Sequence, residues 1–173
     1  MQTINLDYGD GLMPVELPNH ATVVQYGKTY QDPPAVDPWD ATRQALEKPL
    51  GMKPLRELVK AGDKVVISFP DRVKGGAHPE AHRRVAIPMI VEICQEAGVA
   101  LENISLLCAV GLHRHNTLDE LLWYLGKDIV DNFWPDRLLM HDAEDPNAIV
   151  NLGTDDMGNV VTCNKALVEA DLA

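Results

Sequence analysis

The sequence predicts an α/β fold: a parallel-rich sheet with flanking helices, preceded by an N-terminal β-hairpin-like lead-in. Three features carry this reading. Short apolar runs rich in β-branched residues, KVVISF and ISLLCAV, each give way to a polar loop and then to a helical pattern. Helices between strands are the crossovers that parallel strands require. The opening residues TINLDY, GDG, LMPVELP and ATVVQY instead alternate strand-like runs with turn residues, as antiparallel hairpins do.

Taken in order, the lead-in ends near Gly27 and is followed by the proline-rich loop QDPPAVDPWD. There Asp37 can cap a helix whose first residue is Pro38, a position where the missing N–H costs nothing. That helix should run to about Lys48, with a second short one from Pro54 to Gly62. KVVISF is a strand, and AHRRVAIPMIVEICQEAG is a helix with apolar residues at Val85, Ile87, Ile90, Val91 and Ile93, ended by Gly98. Pro88 inside it implies a kink or a late start. ISLLCAV is the next strand and TLDELLWYLG the next helix, opened by a capping box of Thr117 with Glu120. RLLMH reads as a third strand, AIVNLG and NVVTC as a fourth and fifth, and NKALVEADLA as a final helix.

A chain of 173 residues suffices for one core and is short for two, so residues 1–173 are expected to form a single domain. No apolar run is long enough to span a bilayer, and the start QTINLDYGDG lacks the basic and apolar regions of a signal peptide. A cytoplasmic protein with no membrane partner is expected. The formal charge of −11 argues against nucleic acid, whose phosphates are met by clustered Lys and Arg. Cys94, Cys108 and Cys163 lie far apart, which suits reduced structural thiols better than a disulfide frame or a zinc site.

The chemistry-bearing residues gather after two of the strands. ISFPDRVKGGAHPEAHRR delivers Asp71, Arg72, Lys74, His78 and His82, and ISLLCAVGLHRHNT delivers His113, Arg114 and His115. In parallel sheets the ligand crevice lies outside the carboxyl ends of the strands, so Arg72 and His113 should open onto one cleft. Other signals are weaker. His78 with His82 is a possible metal pair without an evident third ligand, and His113 with His115 lacks any HExxH or Cys partner. Gly75-Gly76 after Lys74 reads equally as an anion nest or as a plain strand-to-helix turn. HDAEDPN does not match EF-hand spacing and reads as a capped turn.

Four stretches in order, LDYGDGLMPVELP, ALEKPLGMKPLRELVKAGDKVVI, AVGLHRHNTLDELLWYLG and MHDAEDPNAIVNLGTDDMGNVVTCNKALVEADL, resemble the amino-terminal domain of the lactate racemase family. The resemblance covers almost the whole chain. It implies racemisation or epimerisation of a 2-hydroxy acid with a nickel pincer nucleotide, by hydride transfer coupled to removal of the hydroxyl proton by a histidine. Two histidines on opposite sides then serve the two enantiomers. The histidine of G-x-H-R falls on His113, the expected catalytic base.

The family motif D-x-T-R-P falls on Phe69, Pro70, Asp71, Arg72 and Val73, so Arg72 is kept as the expected carboxylate clamp. Asp71 and Lys74 are expected beside it as substrate contacts. Phe69, Asp71 and Val73 depart from the motif, which speaks for a larger or more polar acid than lactate, such as a sugar acid. In the family the second catalytic histidine, the lysine tether of the cofactor and the histidine that ligates nickel all follow the ADL segment. They are therefore expected beyond Ala173, with no metal ligand in this chain, no assigned cofactor-binding residue, and no activity of the chain alone. The chain is then the N-terminal half of a longer enzyme whose partners are a small hydroxy acid and the rest of the same polypeptide. Two rival readings are a non-catalytic module that binds carboxylate or phosphate through Arg72 and His113, and a structural partner domain without a ligand.

Overall fold

A computed structural model describes residues 1–74 and 76–173, and the chain divides into two compact units, Met1–Ala35 and Val36–Ala173. In the first, β1 (Gln2–Tyr8) pairs antiparallel with β2 (Gly11–Leu17), closing at Tyr8 opposite Gly11. Gly9 makes the turn with φ 56°, a conformation that costs a glycine little. ATVVQY, expected as a strand, is not one. The Gln25 carbonyl takes the N–H groups of Lys28, Thr29 and Tyr30, so this backbone is satisfied by a local turn through Gly27 rather than by a ladder.

The second unit is built on a parallel sheet in the order β3 (Val65–Pro70), β4 (Ile104–Ala109), β5 (Leu138–Met140). Val65 faces Ile104 and Pro70 faces Ala109, so the loops after β3 and β4 leave the sheet side by side. Between these strands run α2 (His82–Glu96), then α3 (Leu118–Leu125) and α4 (Lys127–Phe133). Ile87, Cys94, Ile104, Leu106, Tyr124 and Leu125 are among the side chains that close the core over the sheet. Burial of each aliphatic side chain there contributes about 1.5–3 kcal/mol.

Several elements follow their sequence signals closely. Asp37 Oδ1 accepts the N–H groups of Trp39 and Asp40 at 2.9 Å and opens α1 (Pro38–Glu47). Pro88 sits inside α2 without ending it.

Others differ. PLRELVKAG forms only a 3-10 turn, Leu55–Glu57, because Asp63 captures the Lys60 N–H and Gly62 turns the chain at φ 90°. The expected fourth and fifth strands, Ile149–Thr154 and Val160–Asn164, do not join the parallel sheet. They pair with each other as an antiparallel hairpin whose loop Asp155 organises by accepting from Met157 and Asn159. The final helix shortens to Lys165–Val168. Beyond it the chain reaches the free edge of β3, where Leu172 bridges Val65 in parallel and the Asp171 carboxylate takes the Lys64 N–H at 2.8 Å.

One buried cation ties the strand end to its helix. Arg83, in the first turn of α2, is 1% exposed. Its guanidinium donates to the carbonyls of Pro70 (3.2 Å), Asp71 (2.8 Å), Gly76 (2.8 Å) and Lys74. It also lies 4.7 Å over the Tyr124 ring, whose hydroxyl meets Cys108 Sγ at 3.5 Å. Burial pushes the guanidinium below its ordinary value, and the field of Tyr124, Cys108 and Asp71 opposes that shift. The planar fork presents five N–H donors in fixed directions, against three on an ammonium, and so suits a ring of carbonyls.

A second cationic cluster closes the start of α3. Thr117 Oγ1 accepts the Glu120 N–H while Glu120 Oε2 accepts the Thr117 N–H at 2.9 Å, completing the capping box. Arg114 donates to both Glu120 oxygens at 2.8 and 2.7 Å, and Arg72 Nε lies 3.0 Å from Oε1. The Arg114 bonds, then the Thr117 N–H, hold the Glu120 carboxyl at about 2, against an ordinary 4.5.

Two outcomes are expected. Arg83→Met leaves four carbonyls without their donor and should lower unfolding free energy by about 3–5 kcal/mol in urea denaturation. A loss under about 1 kcal/mol would mean that water replaces the guanidinium. For Glu120 the folded value is depressed, so its stabilising contribution is present above pH 4.5 and is lost as pH falls toward about 2. A carboxyl-detected NMR titration should show this low midpoint, and Arg114→Ala should raise it toward the ordinary value.

Candidate active site

The loops after β3 and β4 bring Asp71 and His113 together across 42 positions of sequence, with His113 Nδ1 at 2.6 Å from Asp71 Oδ2. Asp71 is 4% exposed, and its other oxygen accepts the Val73 N–H at 3.3 Å. Its backbone carbonyl is one of those held by Arg83. An ionised carboxylate only accepts, so in the neutral ring Nδ1 carries the proton and Nε2 presents a lone pair. The His113 ring is half exposed, with a side-chain exposure of 53%. Gly111, at φ 61°, turns the chain after β4, and the His113 N–H closes that turn onto the Val110 carbonyl at 3.0 Å.

A cavity of about 200 Å³ opens beside this pair, lined by His113, His115, His141 and Asp142 among others. His115 Nε2 is 3.9 Å from Asp142 Oδ2, too long for a hydrogen bond. His141 is more firmly held: its N–H reaches the Cys108 carbonyl at 2.9 Å, and its Nδ1 lies 3.1 Å from Asn164 Nδ2. Larger hollows elsewhere on this unit, such as the one between α2 and α4 around Val91 and Phe133, contain none of these imidazoles.

The expected site residues thus fall into distinct places. Arg72 follows β3 and is engaged through Nε with Glu120. Asp71, expected to touch substrate, is buried beneath His113 with both oxygens used. The Lys74 residue is exposed and its carbonyl helps to hold Arg83. The expected anion nest at Gly75-Gly76 rests on Gly75, which lies outside the described residues. Gly76 takes φ 68° and lends its carbonyl to Arg83.

HDAEDPN forms the capped turns expected, with Asp142 accepting from the Glu144 N–H and Asp145 from the Asn147 N–H. Among the described residues, no group of three or more His, Cys, Asp or Glu side chains is arranged to hold a metal ion, at His78 and His82 or elsewhere. Residues not foreseen from sequence are Arg83, His141 and Asn164. An arginine pair opening an apolar helix was the one available hint of the first.

Comparison with known proteins gives a consistent picture. A family model described as the lactate racemase N-terminal domain matches residues 8–173. The lactate racemase of Thermoanaerobacterium thermosaccharolyticum is 27% identical over 173 residues, covering 99% of this chain and 38% of its own length. That of Lactiplantibacillus plantarum is 27% identical over 133 residues, covering 77% of this chain and 29% of its own length. The solved lactate racemase apoprotein from T. thermosaccharolyticum superposes with a TM-score of 0.68 at 26% identity, over 99% of this chain and 38% of that one. The chain therefore spans well under half the length of these relatives, and it belongs to the lactate racemase N-terminal domain family.

Proposed function

We propose that this chain is the substrate-side N-terminal domain of a cytoplasmic racemase or epimerase of 2-hydroxy acids that works with a nickel pincer nucleotide. The observation that carries the reading is the 2.6 Å bond between His113 Nδ1 and the buried Asp71 carboxylate, at the end of a parallel strand and beside an open cavity. A half-exposed imidazole oriented by a buried carboxylate is the arrangement of a general base.

In this reading His113 Nε2 takes the hydroxyl proton of the substrate. Asp71 keeps the ring in place and offsets the positive charge that the imidazole acquires. When bound, the nickel pincer nucleotide supplies the acceptor for the C2 hydride. Loss of proton and hydride would leave a planar ketoacid; return of the hydride to its other face would invert C2, and the proton held at His113 or its counterpart would return to the oxygen. Arg72, whose guanidinium follows β3 as His113 follows β4, orients the substrate carboxylate. The groups in this chain fit a substrate: one imidazole lone pair to accept a proton and one planar cation to donate to a carboxylate. The cofactor's tether and metal ligand are assigned to the remainder of the polypeptide.

In the full-length, cofactor-loaded protein, His113→Ala should cut turnover by about 10²–10⁴ with cofactor content unchanged. Arg72→Ala should mainly raise KM, because a carboxylate contact is present in ground and transition states alike. The measurement is exchange of the C2 hydrogen over a panel of 2-hydroxy acids, with thermal melts run alongside. A His113→Ala protein that melts lower but turns over at the wild-type rate would remove His113 from the mechanism. A wild-type protein that binds such acids without exchanging C2 would favour the non-catalytic binding module instead.

A further inference from the structure

We propose that His141 is a second ligand-binding residue of the same cavity, a fixed hydrogen-bond donor to an oxygen of the bound acid; this rests on the racemase reading for the identity of that acid. Asn164 caps the helix Lys165–Val168 by accepting the Ala166 N–H through Oδ1 at 2.9 Å. An amide N–H can only donate, so the atom at this position is the oxygen and the other, 3.1 Å from His141 Nδ1, is the amino group. An amino group cannot accept, so His141 Nδ1 must, and in the neutral ring the proton sits on Nε2. Asn164 is 7% exposed, so water has little access to loosen this chain of bonds.

The outcome at His113 is the opposite. There the Asp71 carboxylate draws the proton to Nδ1 and leaves Nε2 as an acceptor. One cavity thus offers one imidazole lone pair and one imidazole N–H, each locked by a buried partner. A 2-hydroxy acid matches this pair, with a hydroxyl to donate toward His113 and adjacent oxygens to accept from His141. Two acids also line or flank the cavity. Asp142 is already committed, accepting the Glu144 N–H at 2.9 Å, while Glu144 lies exposed at the rim. The ligand carboxylate is therefore expected to lie toward His141 and away from Glu144.

The test uses the full-length, cofactor-loaded protein. Nitrogen-15 NMR of the histidine-labelled protein should find the His141 proton on Nε2 and the His113 proton on Nδ1. Calorimetric titration with lactate and with gluconate should show affinity falling about tenfold or more in His141→Phe. His141→Gln places an amide N–H near the position of Nε2 and should stay within about threefold of wild type. A proton on His141 Nδ1, equal losses in both variants, unchanged affinity in His141→Phe, or no binding of either acid to wild type would each overturn the inference. Affinity lost in His141→Phe without C2 exchange in wild type would leave it standing and count against the racemase reading alone.

Discussion

The arrangement of the site depends on how a strand end can be held still without regular secondary structure. After Pro70 the backbone of β3 leaves the ladder, and its carbonyls must find donors or remain in water. Arg83 supplies them from within the protein, reaching back from the first turn of α2 to four carbonyls. The guanidinium is itself taken out of water, which is costly, and is offset by those carbonyls, by the face of Tyr124 and by the nearby charge of Asp71. Asp71 is in this way fixed through its main chain by Arg83 while its side chain fixes His113. The half-exposed base is thus positioned by two buried residues, Asp71 directly and Arg83 through the Asp71 main chain.

How far this was legible in the sequence depended on the range of each interaction. The cap of α1 by Asp37 and the box of Thr117 with Glu120 involve neighbours a few residues apart, and both stand where their motifs placed them. The pairing of β3 with β4 followed from the strand, loop and helix pattern, because the crossover geometry leaves few alternatives. What the sequence left open was which partner a strand-like or helix-like run would take. AIVNLG and NVVTC are strands as expected, but they flank GTDDMG, whose Asp155 builds a hairpin loop, and they pair with each other outside the parallel sheet. The helix TLDELLWYLG ends at Gly126 as expected, but α4, which starts directly after that glycine at φ 91°, was not foreseen.

The site divides along the same line. The placement of Arg72 and His113 after neighbouring strands was readable because a crossover pattern sets parallel strand ends side by side. Their partners were not. Nothing in a linear sequence joins Asp71 to His113, or His141 to Asn164 over 23 positions. Arg83 was hidden for another reason. A charged residue beside a second arginine reads as a solvent-facing helix position, yet only Arg84 reaches outward, toward the Trp123 and Tyr124 carbonyls on α3.

The positions that depart from the family motif D-x-T-R-P take a different meaning once their burial is known. Phe69, standing where the motif has its acid, is 4% exposed and packs 6.5 Å from the Tyr124 ring. It is a core residue. The carboxylate at the strand end comes instead from Asp71, two positions on and just past the last ladder residue, Pro70. Both changes are therefore spent inside the protein, one on packing and one on orienting His113. Of the three altered positions only Val73, 54% exposed, is left at the surface. The loss of the motif's first acid is thus a packing change, and by itself it does not imply a preference for acids larger than lactate.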